Sequence, residues 1–476
     1  MTLDALPSSF RDPSGFVFSQ NGRVYRQINN SFAKHFDHFM SSGLYDVLVD
    51  KGYLVAHEDV TASNIQRSPD CYRVIAPEVI PYVAYPYEWS FSQLQNAAML
   101  TLRIQTVALQ YGYILKDASA YNVQFRHGKP IFIDTLSFEP YEEGVPWVAY
   151  RQFCQHFLAP LALMARVNVG LGKLLVTYID GIPLSLASSL LPLTSRLNYS
   201  LQTHIHLHAK MQDTYADAAG TPATAKSNAT HNPRQLSKKG LQAIVESLAS
   251  AIKNQQWKPP QTEWGDYYDN TNYSDGSTDA KRRLVDDYLG SIDEPLNIVH
   301  DLGANTGEFS RIAAKHAGLV VSQDIDPVAV ERNYRRLVNE PPKNVLPLLQ
   351  DLYAPSPAIG WGNEERDSFR QRGRCDAILA LALVHHLAIS NNTPLSRIAT
   401  LFAELAPWLV IEFVPKSDSQ VARLLQTRED VFPQYNRQGF EEAFSACFNI
   451  VRSEAVAGSE RQLYLMRSLI SESSKD

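Results

Sequence analysis

The chain has 476 residues, 45% hydrophobic and 20% charged, with a formal net charge of −6. That length exceeds what one hydrophobic core can hold, so two or three compact units are expected. The mild acidity leaves no basic footprint over the chain as a whole, and a nucleic-acid partner is not expected.

The opening MTLDALPSSFRDPSG has neither a basic start nor an apolar stretch, so no signal peptide is read there. Cys71, Cys154, Cys375 and Cys447 are scattered, without a CxxC pair or metal-ligand spacing. They read as reduced thiols in a cytoplasmic protein, and no metal centre is expected. Next, GFVFSQNGRVYRQI alternates apolar and polar residues around Asn21-Gly22. That pair predicts a two-residue hairpin, because both central residues of a type I′ turn need positive φ. SQLQNAAMLTLRIQTVALQYGY then has the periodicity of a long helix.

In YILKDASAYNVQFRHGKPIFIDTLSFE, Asn122 follows Asp117 by five residues, and a β-pair leads on to Asp134. This pattern resembles protein kinases and aminoglycoside-type phosphotransferases. The resemblance implies that Asp117 positions an acceptor hydroxyl while Asn122 and Asp134 hold Mg²⁺ against nucleotide phosphates. The departures are Leu115-Lys116-Asp117 for His-Arg-Asp, Asp134-Thr135-Leu136 for Asp-Phe-Gly, and no Gly-rich phosphate loop or strand lysine. An Asp/Asn pair in a tight turn also has a purely structural use, bonding its own backbone. A recognition module on a degenerate kinase scaffold is therefore the preferred reading of residues 1–212, an α+β domain.

The greasy stretch from Phe157 to Leu193 is interrupted by Arg166, Lys173 and Asp180. It predicts buried helices rather than a membrane anchor. His204, His206 and His208 lack a nearby Cys or carboxylate to complete a metal set, and read as solvent-facing or core-satisfied. Residues 213–240 are small and polar, and predict a flexible linker. LQAIVESLASAIKNQQW follows with helical periodicity and is expected to lead into a third zone, 241–476.

That zone alternates strand, loop and helix, which argues for a parallel sheet with crossover helices. In IVHDLGANTGEFS a buried strand ends at Asp301, and Gly303 to Gly307 turns into a helix. Glycines allow close backbone approach to a ligand, and the helix start adds positive partial charge. The spacing is GxxxG rather than the GxGxxG that cradles a pyrophosphate. A carboxylate at the strand end repels a diphosphate but suits a cofactor carrying an ammonium group. Asp324 and Asp326 end the next strand, placed to accept from ribose hydroxyls. Asp351 ends a third, within reach of an adenine amine. CDAILALALVHHL reads as a central strand ending in His385-His386, and APWLVIEFVP as a fifth. FNIVRSEAV and RQLYLMRS read as a closing antiparallel pair.

This constellation resembles the class I methyltransferase family over about 220 residues. The resemblance implies a Rossmann-like α/β fold with a seven-stranded sheet, a reversed final strand, and S-adenosylmethionine as cofactor. Asp301, Gly303 and Gly307 would hold its amino-acid end, Asp324 its ribose and Asp351 its adenine; Asn305 and Leu352 complete the expected cofactor set. Leu383-Val384-His385-His386 stands where base-methylating members carry Asn/Asp-Pro-Pro-aromatic, which points to a small-molecule, glycan or natural-product acceptor. His385 or His386 reads as a general base, or as a ring that packs on the cofactor or caps the following helix, and Glu412 as an alternative base or a substrate ligand. Tyr267, Tyr268 and Tyr273 read equally as a lid or as interdomain packing. A bifunctional kinase–methyltransferase and a non-enzymatic cofactor sensor are the competing functions. With its KDASAYNVQF and LALVHHL segments, the two-zone arrangement also resembles the NoeA-type nodulation group, which suggests modification of a glycan or secondary metabolite.

Overall fold

Asn21 and Gly22 both take positive φ, 53° and 73°, and close the hairpin between β1 (Gly15–Gln20) and β2 (Arg23–Asn29). Asparagine and glycine tolerate the left-handed region, so the dipeptide sets the register of the pair. In this computed structural model the described residues are 5–210, 236–260, 275–426 and 429–470. Tyr267, Tyr268, Tyr273 and most of the expected linker lie outside them.

The chain divides into two compact units, Met1–Lys258 with Ala358–Arg366, and Pro259–Pro357 with Asp367–Asp476. In the first, β3 (His57–Asp59) and β4 (Cys71–Pro77) extend the hairpin into a four-stranded antiparallel sheet of order β1-β2-β4-β3. The helix Phe91–Gln110 follows, started by a Ser90/Gln93 capping box. After it come two short antiparallel pairs, β5 (Tyr113–Leu115) with β8 (Phe138–Pro140), and β6 (Val123–Arg126) with β7 (Lys129–Phe132). The rest is helical, and among the described residues no helix is long and apolar enough to cross a membrane. The helix Lys238–Lys253, expected as a lead-in to the third zone, belongs by packing to this unit. It buries Leu241, Val245, Leu248 and Ile252 and lies against Phe91–Gln110, where Gln95 donates to the carbonyls of Ile252 and Gln255. It begins at Lys238, capped by Ser237, inside the stretch expected to be linker.

The second unit is built on a seven-stranded sheet: β9 (Leu296–Leu302), β10 (Ala317–Asp324), β11 (Val345–Leu349), β12 (Ala377–Ala380), β13 (Trp408–Phe413), β14 (Phe448–Ala455) and β15 (Gln462–Ser468). Its order is β11-β10-β9-β12-β13-β15-β14, and β15 runs antiparallel to both of its neighbours. The five preceding strands are parallel, so helices cover both faces. Period-two alternation divides the central strands between two cores. Ile378, Ala380, Leu409 and Ile411 enter one; Ala377, Leu379 and Val410 enter the other. This is the strand order of the class I methyltransferase fold.

β12 is shorter than its apolar run suggested. It stops at Ala380, and Ala382 takes φ 50°. His385 and His386 therefore lie on the following turn and not on the strand, and His386 opens a π-helical turn to Ser390. Pleating needs extended backbone at every residue, and the positive φ at Ala382 breaks it.

Candidate functional site

At the carboxyl edge of the parallel strands of the second unit lies a cavity of about 350 Å³. Asp301, Gly303, Asn305, Asp324, Asp351, Leu352 and His386 all line it. Six of these seven are expected cofactor residues, and His386 is an expected catalytic one.

The turn after β9 is pinned from below. The N–H groups of Gly303 and Ala304 both donate to the Gln323 carbonyl, at 2.8 and 2.9 Å. Gly303 (φ 73°) and Asn305 (φ 52°) hold positive φ, and with Ala304 they line the cavity. Gly307 does not line the cavity. It caps the helix Glu308–Ala313 at φ 78°, and a Cβ there would lie 2.4 Å from Asn333. Its part is to let the helix start pass close to Asn333.

Asp301 is buried, and its Oδ2 accepts from Ser310 Oγ at 2.6 Å. Burial pushes its carboxyl up to about 7, and the charge of Asp324 adds to the rise. Asp324 accepts from the N–H of Asn305 at 2.7 Å and of Asp326 at 2.8 Å. Burial still raises it to about 6. Asp326 caps the helix Pro327–Asn339 through Val328 N–H and does not line the cavity, whereas Asp324 does. Asp351 accepts from Tyr353 N–H at 2.9 Å.

The two histidines separate. His385 is buried outside the cavity lining, and among the described residues its Nδ1 has no hydrogen-bond partner. Burial, followed by the neighbouring His386, pushes it well below the usual imidazole value. His386 faces the cavity, with its ring 4.1 Å from that of His385. Burial and then Arg461 lower it to about 4.

Glu412, the alternative base, is fully buried and outside the cavity lining. Its Oε2 lies 2.6 Å from Lys281 Nζ and accepts from Ala382 N–H at 2.7 Å; Arg461 stands 3.7 Å from Oε1. Burial alone would raise it, but Lys281 and Arg461 outweigh burial and hold it below the usual range. A carboxylate so matched has little proton affinity. Glu412 thus ties together the helix Asp275–Gly290, the end of β12 and Arg461.

Lys281 is the residue that sequence reasoning missed. It lines the cavity from the helix Asp275–Gly290, with Nζ 4.8 Å from the centroid of the Phe309 ring. In the run Lys281-Arg282-Arg283, helical phase alone did not say which cation turns inward.

In the first unit, Asp117, Asn122 and Asp134 do come together. Asp117 accepts from Ser119 N–H at 2.8 Å and bonds Asn122 and Gln152. Asp134 forms an ion pair with Arg26 of β2, accepts from Leu136 N–H at 3.0 Å and from Ser137 Oγ at 2.6 Å. Every oxygen of Asp134 is thereby engaged within the chain. His204 sits between Tyr150 Oη (2.6 Å) and Ser247 Oγ (2.9 Å); His206 sits between Ser188 Oγ (2.8 Å) and Ser195 Oγ (2.9 Å). Both are buried, satisfied core histidines.

No family model matches the chain. Among solved structures, the chain is similar to the N-methyltransferase NodS from Bradyrhizobium japonicum WM9 in complex with S-adenosyl-L-homocysteine, at 11% identity and TM-score 0.32, covering 44% of this chain and 100% of that one. It is also similar to the magnesium protoporphyrin IX methyltransferase ChlM from Synechocystis PCC 6803, at 17% identity and TM-score 0.30, covering 43% of this chain and 93% of that one. Those scores are low, and the fold assignment rests on the strand order itself. The nodulation protein NoeA of Rhizobium meliloti (strain 1021) is 36% identical over 459 residues, spanning 96% of this chain and 94% of the relative. By that near-complete match, the chain belongs to the NoeA family of nodulation proteins.

Proposed function

We propose that the chain is an S-adenosylmethionine-dependent methyltransferase acting on a small-molecule or glycan-type acceptor. The observation that carries this reading is one cavity, at the carboxyl edge of a sheet ordered β11-β10-β9-β12-β13-β15-β14, holding three carboxylates at successive strand ends. The donor set suits the cofactor. Asp301 matches an ammonium, Asp324 a ribose diol, Asp351 an adenine amine, and the turn at Gly303 admits close approach.

When bound, the cofactor supplies a methyl group on a positively charged sulfur, open to in-line displacement with a neutral leaving group. The protein's work is then alignment and exclusion of water. Leu383 and Leu387 give the wall beside His386 an apolar surface. His386 is neutral at physiological pH and offers a hydrogen bond to an incoming hydroxyl or amine without adding charge beside the sulfonium. The first unit serves acceptor selection, since Asp134 is already neutralised by Arg26 and is poorly disposed to a divalent cation.

Calorimetric titration of the full chain with S-adenosylmethionine tests this. Saturable binding that is lost in Asp301→Ala and Asp324→Ala is expected; no binding by the wild type overturns the reading.

A further inference from the structure

The most exposed large apolar side chains among the described residues cluster in one short stretch of the first unit. They are Leu193 (80%), Leu197 (88%) and Tyr199 (79%), and exposed Leu190 and Leu207 flank them. Single exposed leucines are ordinary on a protein surface, whereas a run of them marks an interaction site. Within the turn Leu193–Leu197 the only buried residue is Ser195, whose Oγ lies 2.9 Å from His206 Nε2. His206 is held in turn by Ser188 Oγ, 2.8 Å from its Nδ1. A serine thus fastens the turn to the interior, and the leucines on either side of it are held out in solvent. That reverses the usual pattern of apolar residues in and polar residues out.

The charge around this face has one sign. Residues 181–210 contain no aspartate or glutamate, although the whole chain carries a net charge of −6. Arg196, between the two leucines, and Lys210, at the end of the stretch, are both exposed. Burial lowers the imidazoles of His206 and His208, and the nearby charges that add to it are cations, Arg196 and Arg151.

A stable protein partner needs a shape-matched surface of roughly 800 Å² on each side. Side chains this exposed stand clear of their neighbours and leave no groove for a rigid partner to fill. A fluid acyl boundary accepts protruding leucines without matching their shape, while tyrosine and arginine suit the headgroup level.

We propose that this face of the first unit docks on an anionic lipid surface. Leu193 and Leu197 enter the acyl boundary, Tyr199 sits among the headgroups, and Arg196 meets their phosphates. The inference stands on the first unit alone and does not need the methyltransferase reading above.

The test is co-sedimentation of the full chain with vesicles of phosphatidylcholine alone and of equal parts phosphatidylcholine and phosphatidylglycerol. The wild type is expected to bind the anionic vesicles about tenfold or more tightly than the neutral ones, and to come off as salt is raised. Leu193→Ser/Leu197→Ser should weaken that binding by about tenfold or more, and Arg196→Gln by about fivefold. These side chains are exposed, so the melting temperatures of both variants should stay at the wild-type value. Leu469→Ser, at an exposed leucine of the second unit, should bind as the wild type does. No binding of the wild type to anionic vesicles overturns the proposal, as does equal binding to both compositions. Binding that survives the double serine variant, or a loss shared with Leu469→Ser, overturns it too. Light scattering without lipid tests the other occupant: a dimer that the double variant turns into monomer assigns the face to a second copy and overturns the lipid reading.

Discussion

The N–H of Asn305 donates to Asp324 Oδ2 at 2.7 Å, so the acid at the end of β10 holds the shape of the turn after β9. One carboxylate thus has two duties, fixing the loop and facing the cavity. Asp324 and Asp301 both have raised values in the free protein, about 6 and about 7. A cofactor ammonium and ribose diol call for the ionised forms, so binding must release the protons still held there. Affinity should be flat well above pH 7 and fall by about tenfold per pH unit for each group that must release a proton. Stability of the free protein runs the other way. The raised carboxyls contribute stability that is fully present below their ordinary value of 3.8 and lost as the pH rises through about 6 and then about 7. Calorimetry across pH 5–8 checks the first effect and thermal denaturation of the free protein the second. A pH-independent affinity would show that these carboxylates do not meet the cofactor.

Gly307 tests the turn from its other end. A Cβ at this position meets Asn333 at 2.4 Å, and the φ of 78° disfavours any L side chain. Gly307→Ala should cost about 1–2 kcal/mol for the left-handed backbone alone, with the clash added. Pairing it with Asn333→Ala should recover the clash and leave the backbone cost. Urea denaturation of the two variants separates the contributions.

His385 and His386 should part company under mutation. His386→Ala should lower turnover by about 10²-fold or more if it assists proton transfer, with cofactor affinity unchanged. His385→Ala should act on stability, since that ring is buried away from the cavity. As His386 is held near 4, the kcat/KM profile should show no limb at the ordinary imidazole value of 6.5. A limb at that value would assign the base to another group.

Much of this site was legible in the sequence because strand ends announce themselves. A buried apolar run followed by a carboxylate marks where pairing stops, which places Asp301, Asp324 and Asp351 at strand ends, and the glycines after Asp301 mark the turn. What was illegible depends on side-chain direction after the chain turns. The apolar run through Leu381 and Leu383 looked like uninterrupted strand, yet pairing stops at Ala380, Ala382 takes positive φ, and His385 lies outside the cavity lining. Glu412 sat at a strand end like the three acids, but Lys281 and Arg461, distant in sequence, make it a tie. In the first unit Asp117, Asn122 and Asp134 were found together by spacing; the ion pair from Arg26 was invisible because it crosses from β2. Ala358–Arg366 counts with the first unit, where Arg11 grips Glu365 through two bonds of 2.8 and 2.9 Å, and no local pattern marks so long a return.

Glu412 makes the sharpest stability prediction. Glu412→Ala leaves Lys281 and Arg461 buried with their shared carboxylate gone, and should destabilise the chain by about 3–5 kcal/mol. Glu412→Gln keeps the acceptor for Ala382 N–H and should cost less. Were Glu412 instead the base, both variants would abolish turnover while folding normally. Denaturation midpoints read beside kcat decide between the two.

Arg26 and Asp134 decide the use of the first unit. The ion pair occupies the oxygens that a phosphate-bound cation would need, so Mg²⁺ with ATP should leave the melting temperature of the full chain unchanged. Arg26→Met exposes the alternative: if the pair merely masks a working site, removing the guanidinium should create Mg²⁺-dependent nucleotide binding. If the acids serve structure, the same variant should only destabilise, by about 1–3 kcal/mol, because Asp134 is part-buried and keeps the Leu136 N–H and Ser137 Oγ. Asp134→Asn/Arg26→Met, which removes both charges, should then regain most of that loss. A Mg²⁺-dependent thermal shift with ATP in the wild type would reverse this assignment and return the first unit to phosphoryl transfer.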